Sequence, residues 1–293
     1  MKHNVKISLI LISMFLITQI IGLGVIHSYR EKTLPYGLEP PKEISPEISL
    51  INIVFAFILA IFLLLLLMKI EARIFLKIWF FIVVITALGI TFNSILPQNL
   101  FYSLLSLIIA IPLAFYKVFK RNLIVHNLTE LLVYPGIAAV FVPLLNIQAA
   151  VILLILISVY DIYAVWHSGI MQKMAKFQME NLKIFSGFFV PYLTKKQKAE
   201  IKKLKKRKEI KNKNIKINLA VLGGGDVVFP IILAGTILIR LGFLYSMIIS
   251  LGATFGLTFL LFKSKKGKFY PAMPFITAGC FVGLLISYIL YLF

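Results

Sequence analysis

The 293-residue chain is 60% hydrophobic and 14% charged, against about 45–50% apolar and about 25% charged in soluble domains, which excludes an ordinary water-soluble enzyme. At about 20 apolar residues per crossing, this composition supplies about eight or nine membrane spans. The formal charge of +20, from 31 Lys and Arg against 11 acids, reads as loop asymmetry rather than nucleic-acid binding, and the single Cys280 excludes an intramolecular disulfide or a cysteine-clustered metal site.

Nine apolar runs predict an all-α polytopic membrane protein: Ile7–Ile26, Leu50–Met68, Ile78–Leu96, Leu100–Tyr116, Ile124–Leu145, Ile147–Trp166, Ile217–Ile239, Leu241–Phe262 and Pro274–Phe293. They are apolar throughout, unlike the alternating strands of a membrane barrel. The first run follows Lys2 and Lys6, but it has near-spanning length and no small-residue cleavage site after it, so it is expected to be a retained helix. Residues 27–48, with Pro35, Pro40, Pro41 and Pro46, read as a loop on the outer side. Of the 31 Lys and Arg, only Arg30, Lys32, Lys42 and Arg240 fall in the links assigned to that side, and the other 27 fall opposite. The positive-inside rule then places the N-terminus in the cytoplasm and the C-terminus outside.

His126 and Glu130, at i and i+4 near the start of the fifth run, lack the further partners of a metal site and read as a snorkelling polar helix end. The link at 167–216 divides the chain into a six-helix portion (1–166), a basic cytoplasmic loop, and a three-helix portion (217–293). Within that loop, Thr194–Asn214 is a lysine run expected to meet anionic lipid headgroups. The stretch Ile184–Leu193 is too short to span, and either lies at the interface or tucks between helices.

Asp161 and Asp226 are the only aspartates, and both fall inside predicted spans, where an ionisable group reads as functional by default. At 1.5 Å per residue they lie about 8 and about 14 Å from the same cytoplasmic surface. Asp226 follows Gly223-Gly224-Gly225 and precedes Pro230, which deprives the Asp226 carbonyl of its helical partner. Pro271-Ala272-Met273-Pro274 opens the ninth run with non-helical backbone at a similar depth.

These three elements, Tyr160-Asp161, Gly223-x-Gly225-Asp226 and Pro271-Ala272-Met273, resemble the YD, GxGD and PAL motifs of the presenilin and signal peptide peptidase family of intramembrane aspartyl proteases. Met273 departs from the leucine usual in that family. The resemblance implies a nine-span fold, two-aspartate catalysis by Asp161 and Asp226, and transmembrane-helix polypeptides as substrates. It implies supporting roles for Tyr160, Gly223, Gly225 and Pro230, and substrate positioning by Pro271, Ala272 and Met273. The charge asymmetry matches the presenilin orientation rather than its inverse, and a prokaryotic cell membrane is the expected location.

Neighbouring carboxyls in a low-dielectric site are expected to share one proton, one activating water and the other donating to the oxyanion. No cofactor, metal or nucleic acid is implied, and nothing indicates the oligomeric state. His3, His27, His126 and His167 are too scattered for a zinc protease, and no Gly-x-Ser-Gly accompanies a membrane histidine as a rhomboid-type mechanism requires. A prepilin peptidase shares GxGD but usually carries a basic residue soon after the aspartate, where this chain has Val227-Val228-Phe229-Pro230. An ion- or proton-coupled transporter remains the alternative from another class, although the halves share no duplicated motif.

Overall fold

The computed structural model describes residues 5–38, 46–70, 72–120, 122–169, 186–192, 218–264 and 270–292, with positions 174, 177, 178, 184 and 197 in addition. The lysine run 194–214, apart from 197, lies outside them, as do Phe185, Leu193, Lys42 and 265–269.

Nine helices among the described residues are long and apolar enough to cross a membrane. They are α1 (Val5–Ser28), α2 (Pro46–Lys69), α3 (Arg73–Ser94), α4 (Leu100–Phe115), α5 (Leu123–Phe141), α6 (Ile147–Trp166), α7 (Gly224–Leu241), α8 (Phe243–Lys263) and α9 (Met273–Leu292). A π turn, Tyr116–Lys120, extends α4, and the 3-10 turn Val142–Leu144 ends α5. Asparagines cap the short reversals between them. The Asn99, Asn122 and Asn146 side chains accept backbone N–H groups from the first turns of α4, α5 and α6, supplying acceptors that those helix ends lack.

The seventh run differs from expectation. Its first residues form strand β2 (Asn218–Gly223), antiparallel to β1 (Gly187–Tyr192), and the helix begins only at Gly224. Three successive glycines disfavour helix, and residues 219–222 alternate exposed and buried as a strand does, with Leu219 and Val221 out and Ala220 and Leu222 in. Asp226 therefore stands in the first turn of α7 rather than well inside a helix. Strand β1 accounts for the short aromatic stretch: Phe188, Phe189 and Val190 are buried, and the strand tucks against α1, α5 and α7.

Helix α7 is the hub. Most of its residues are buried, and it packs against α1, α5, α6, α8 and α9. Helix α2 is the opposite case, with no residue of Leu50–Leu67 buried and contacts to α3, α6 and the turn after α5. The tightest pairing is α8 on α9. Side chains at Gly252 or Gly279 would run into the other's backbone carbonyl, so glycine is what lets these two backbones touch.

Candidate active site

Asp226 is held by the residues just before it. Gly223 is the N-cap of α7, in extended geometry (φ −65°, ψ 147°), and Asp226 lies three positions on. Its carboxyl accepts the Gly223 backbone N–H, the reach-back contact of a capping box. A side chain at Gly223 would begin 3.1 Å from Asp226 Oδ2, and one at Gly224 would begin 2.6 Å from Ser186 Oγ and 2.8 Å from the Tyr134 ring. Gly225 is exposed. Pro230 is buried one turn further along the helix. Near the weakened ladder, Gln19 of α1 donates from Nε2 to the Val227 carbonyl at 3.1 Å.

Asp161 is held from the far end of the chain. It sits on α6, 5% exposed, and its Oδ2 accepts the Met273 N–H at 3.0 Å. The Ala272 N–H bonds the same carboxyl. Pro271 and Pro274 carry no N–H, so Ala272 and Met273 own the only amide donors of that tetrapeptide, and both are directed at Asp161. The carboxyl thereby serves donors at the start of α9 that have no intrahelical acceptor. One turn deeper, Ser158 and Thr277 share a 2.8 Å hydrogen bond, a second rung between α6 and α9. The Met273 side chain is buried at 2% exposure, so methionine fills an enclosed apolar slot. The Tyr160 ring turns away toward α2 and meets Phe57 edge-on at 5.7 Å.

Packing of α6 against α7 brings the two aspartates close enough to interact electrostatically, and both are buried. Beside them lies a cavity of about 720 Å³ between α2, α5, α6 and α7, lined by Phe57, Tyr134, Leu153, Gly224, Gly225 and Phe229 among others. Its walls are overwhelmingly apolar, which suits hydrophobic polypeptide. Two N–H-bonded carboxyls at the edge of an apolar slot are the equipment for general acid–base attack of water on an amide.

Sequence reasoning missed one part of this region. His126 and Glu130 are buried and do not snorkel; Glu130 is 0% exposed and pairs with Lys117 at 2.6 Å. Lys117, counted as one of the charges that orient the chain, is itself buried in the π turn after α4. The i, i+4 spacing of His126 and Glu130 was the available signal, but Lys117 looked like any other cation at a helix end. No group of three His, Cys, Asp or Glu among the described residues is placed to hold a metal ion.

A family model described as "Signal-peptide peptidase, presenilin aspartyl protease" matches residues 12–292. No curated protein sequence matches significantly. Two solved structures of a presenilin family intramembrane aspartate protease, in C222 and P2 space groups, share the fold. The first has a TM-score of 0.65 at 20% identity over 97% of this chain and 99% of the other. The second has 0.61 at 20% identity over 98% and 97%.

Proposed function

The chain belongs to the signal-peptide peptidase and presenilin aspartyl protease family, and from that premise we propose that Asp161 and Asp226 are the catalytic pair of this intramembrane protease. The observation that carries the assignment is the convergence of the chain's only two aspartates in one buried site, each carboxyl held by backbone N–H groups. In the reactive state the pair holds one proton. The ionised carboxylate removes a proton from water as its oxygen attacks the peptide carbonyl, and the protonated carboxyl donates to the developing oxyanion. Collapse of the tetrahedral intermediate breaks the C–N bond and passes a proton to the leaving amine. The two carboxyls titrate as a unit, and neither takes a fixed role.

A transmembrane helix satisfies its own backbone, so the substrate must unwind before attack. The apolar cavity accepts the side chains, and the sheet offers the backbone partner. The register Gly187↔Gly223 to Tyr192↔Asn218 turns the Phe188, Val190, Ala220 and Leu222 backbone groups inward between the strands. The groups of Leu219 and Val221 then face outward on the β2 edge, where no described residue bonds them. That edge runs into Gly223 and the Asp226 carboxyl, so a strand added there is delivered to the pair. Nine span-length helices among the described residues and the charge asymmetry support an N-terminus in the cytoplasm and a C-terminus outside, with the basic loop facing anionic headgroups.

The test is cleavage of a purified single-span substrate by the detergent-solubilised protein. Asp161→Asn and Asp226→Asn should each lower kcat by about 10²–10⁴-fold while thermal unfolding stays close to the parent. An aspartyl-protease transition-state analogue should abolish the parent's activity. Undiminished cleavage by either folded variant overturns the assignment.

A further inference from the structure

Strand β1 has two edges. One pairs with β2, and the other is closed by side chains of α5. Gly187 presents its N–H to Glu130 Oε1 at 3.2 Å, and its carbonyl accepts from His126 Nε2 at 2.8 Å. Two residues on, the Asn127 side chain pairs with Phe189 in both directions, donating to its carbonyl at 2.7 Å and accepting its N–H at 2.9 Å. The next outward position is Pro191, which has no N–H to offer. Every outward amide of β1 up to Pro191 is thus met by a polar side chain from three positions of one helix, as if α5 were itself a neighbouring strand.

The clamp has a charged root. Glu130 is fully buried, with Lys117 Nζ at 2.6 Å as its counter-ion and His126 Nε2 at 3.6 Å on the same oxygen. Lys117 reaches it from the π turn that ends α4, so α4 and α5 are tied at the point where α5 grips the strand. A buried pair of this kind is poor evidence for stability, since apolar residues of similar volume often serve as well. Its geometry here indicates what it holds. Gly187 is the register partner of Gly223, and the neighbouring Ser186 carbonyl accepts the Gly224 N–H at 3.3 Å. Those two glycines are the N-cap and first residue of the helix bearing Asp226.

We propose that Glu130, with Lys117, His126 and Asn127, is a positioning residue for proteolysis: by fixing the outer edge of β1 it sets the height of Gly223–Gly224 and so the place of the Asp226 carboxyl opposite Asp161. The same closure leaves β2 as the edge on which an extended polypeptide can add. The proposal rests on the assignment of Asp161 and Asp226 as the catalytic pair.

Two readouts separate the ideas. The first is kcat and KM on a single-span substrate. The second is independent of activity: the rate at which a short bifunctional thiol reagent bridges an Asp161→Cys/Asp226→Cys protein in which Cys280, the only native cysteine, is replaced by Ser. Glu130→Ala should lower kcat at least about 30-fold, approaching the ~10²-fold that a displacement of about 1 Å at the reacting groups can cost, and should slow bridging at least about tenfold by the same dependence on geometry. The double variant Lys117→Met/Glu130→Gln removes the charges but keeps an acceptor for the Gly187 N–H. It should lose less than Glu130→Ala in both readouts, and a loss as large as that of Glu130→Ala would overturn the role given to the Gly187 N–H contact. Asn127→Leu removes only the Phe189 contacts and decides the matter if Glu130→Ala does not fold. It should lower kcat and bridging about three- to tenfold, as expected for losing two hydrogen bonds. Normal kcat and bridging in whichever of Glu130→Ala and Asn127→Leu folds would overturn the proposal and leave the catalytic assignment standing. Undiminished cleavage by Asp161→Asn would instead remove that assignment, and the bridging rates would still report on the clamp.

Discussion

The glycine triplet before Asp226 offers a graded experiment. A methyl group at Gly224 would lie 2.6 Å from Ser186 Oγ and 2.8 Å from both Cε1 and Oη of Tyr134. Ordinary contacts lie at about 3.5–4.0 Å, so these neighbours would have to retreat by roughly 1 Å. The Ser186 hydroxyl can turn aside. Tyr134 has less freedom, being 1% exposed and packed edge-on against Phe188 at 5.7 Å. Overpacking of this kind costs about 1–3 kcal/mol. If the strain reaches Asp226 two residues later, the same energy corresponds to about 5- to 150-fold in kcat. Gly223→Ala meets Asp226 Oδ2 at 3.1 Å, a displacement of a few tenths of an ångström, and should cost only a few-fold. Gly225→Ala meets nothing nearer than the ring of Phe229, at 3.4 Å, and should gain about 0.4–1 kcal/mol in stability from the stiffer unfolded chain. The assay is kcat and KM with a single-span substrate, alongside the unfolding temperature of each variant. Tyr134→Leu should relieve Gly224→Ala, with a coupling of about 1 kcal/mol or more. Parent-like kinetics and stability for Gly224→Ala, or no relief by Tyr134→Leu, would refute the steric argument.

Ser158→Ala removes the second rung between α6 and α9. It should lower stability by about 0.6 kcal/mol, the usual worth of a side-chain bond between membrane helices, with a larger fractional fall in kcat than in substrate binding; equal falls in both would deny the rung a role in aiming Asp161. Ala56→Trp on α2 intrudes on the apolar cavity and should raise KM for a bulky single-span substrate about tenfold or more, a size comparable to a lost side-chain pocket, and an unchanged KM would place the substrate elsewhere. Burial raises the Tyr29 phenol above its ordinary value of 10.0, and also raises that of Tyr36. Above about pH 10 the unfolded chain therefore loses these protons first, so stability should fall as pH rises. Tyr29→Phe, which also deletes the bond to the Ile90 carbonyl, should make that alkaline fall shallower in unfolding measured from about pH 9 to about pH 11.

The spans were legible because lipid demands uninterrupted apolar helix; the sixth, Ile147–Trp166, has the same limits in sequence and structure. The aspartates were legible because the chain has only two. The start of the seventh span was not. Ile217–Leu222 is as apolar as the helix that follows, and four alternating residues are too few to announce a strand within an apolar run. That the Met273 N–H bonds Asp161 could not be read from the motif, because the two residues lie 112 positions apart. Motif spacing singled out Gly223 and Gly225, whereas steric crowding falls hardest on Gly224, because Tyr134 lies 90 positions away in sequence and its packing cannot be read from composition. Lys117 was hidden for the same reason: a cation at a helix end looks alike whether it meets lipid or a buried glutamate.

The two carboxyls draw their backbone donors from very different distances along the chain. Asp226 finds its backbone donor three residues upstream, available as soon as the turn into α7 forms. Asp161 waits for residues 272 and 273, the latter 112 positions downstream, at the threshold of the last helix. Membrane helices insert first and dock afterwards, so a nascent chain can carry both aspartates across the bilayer while one of them still lacks its seat. Docking of α9 against α6 therefore supplies the backbone donor that Asp161 cannot find on its own helix.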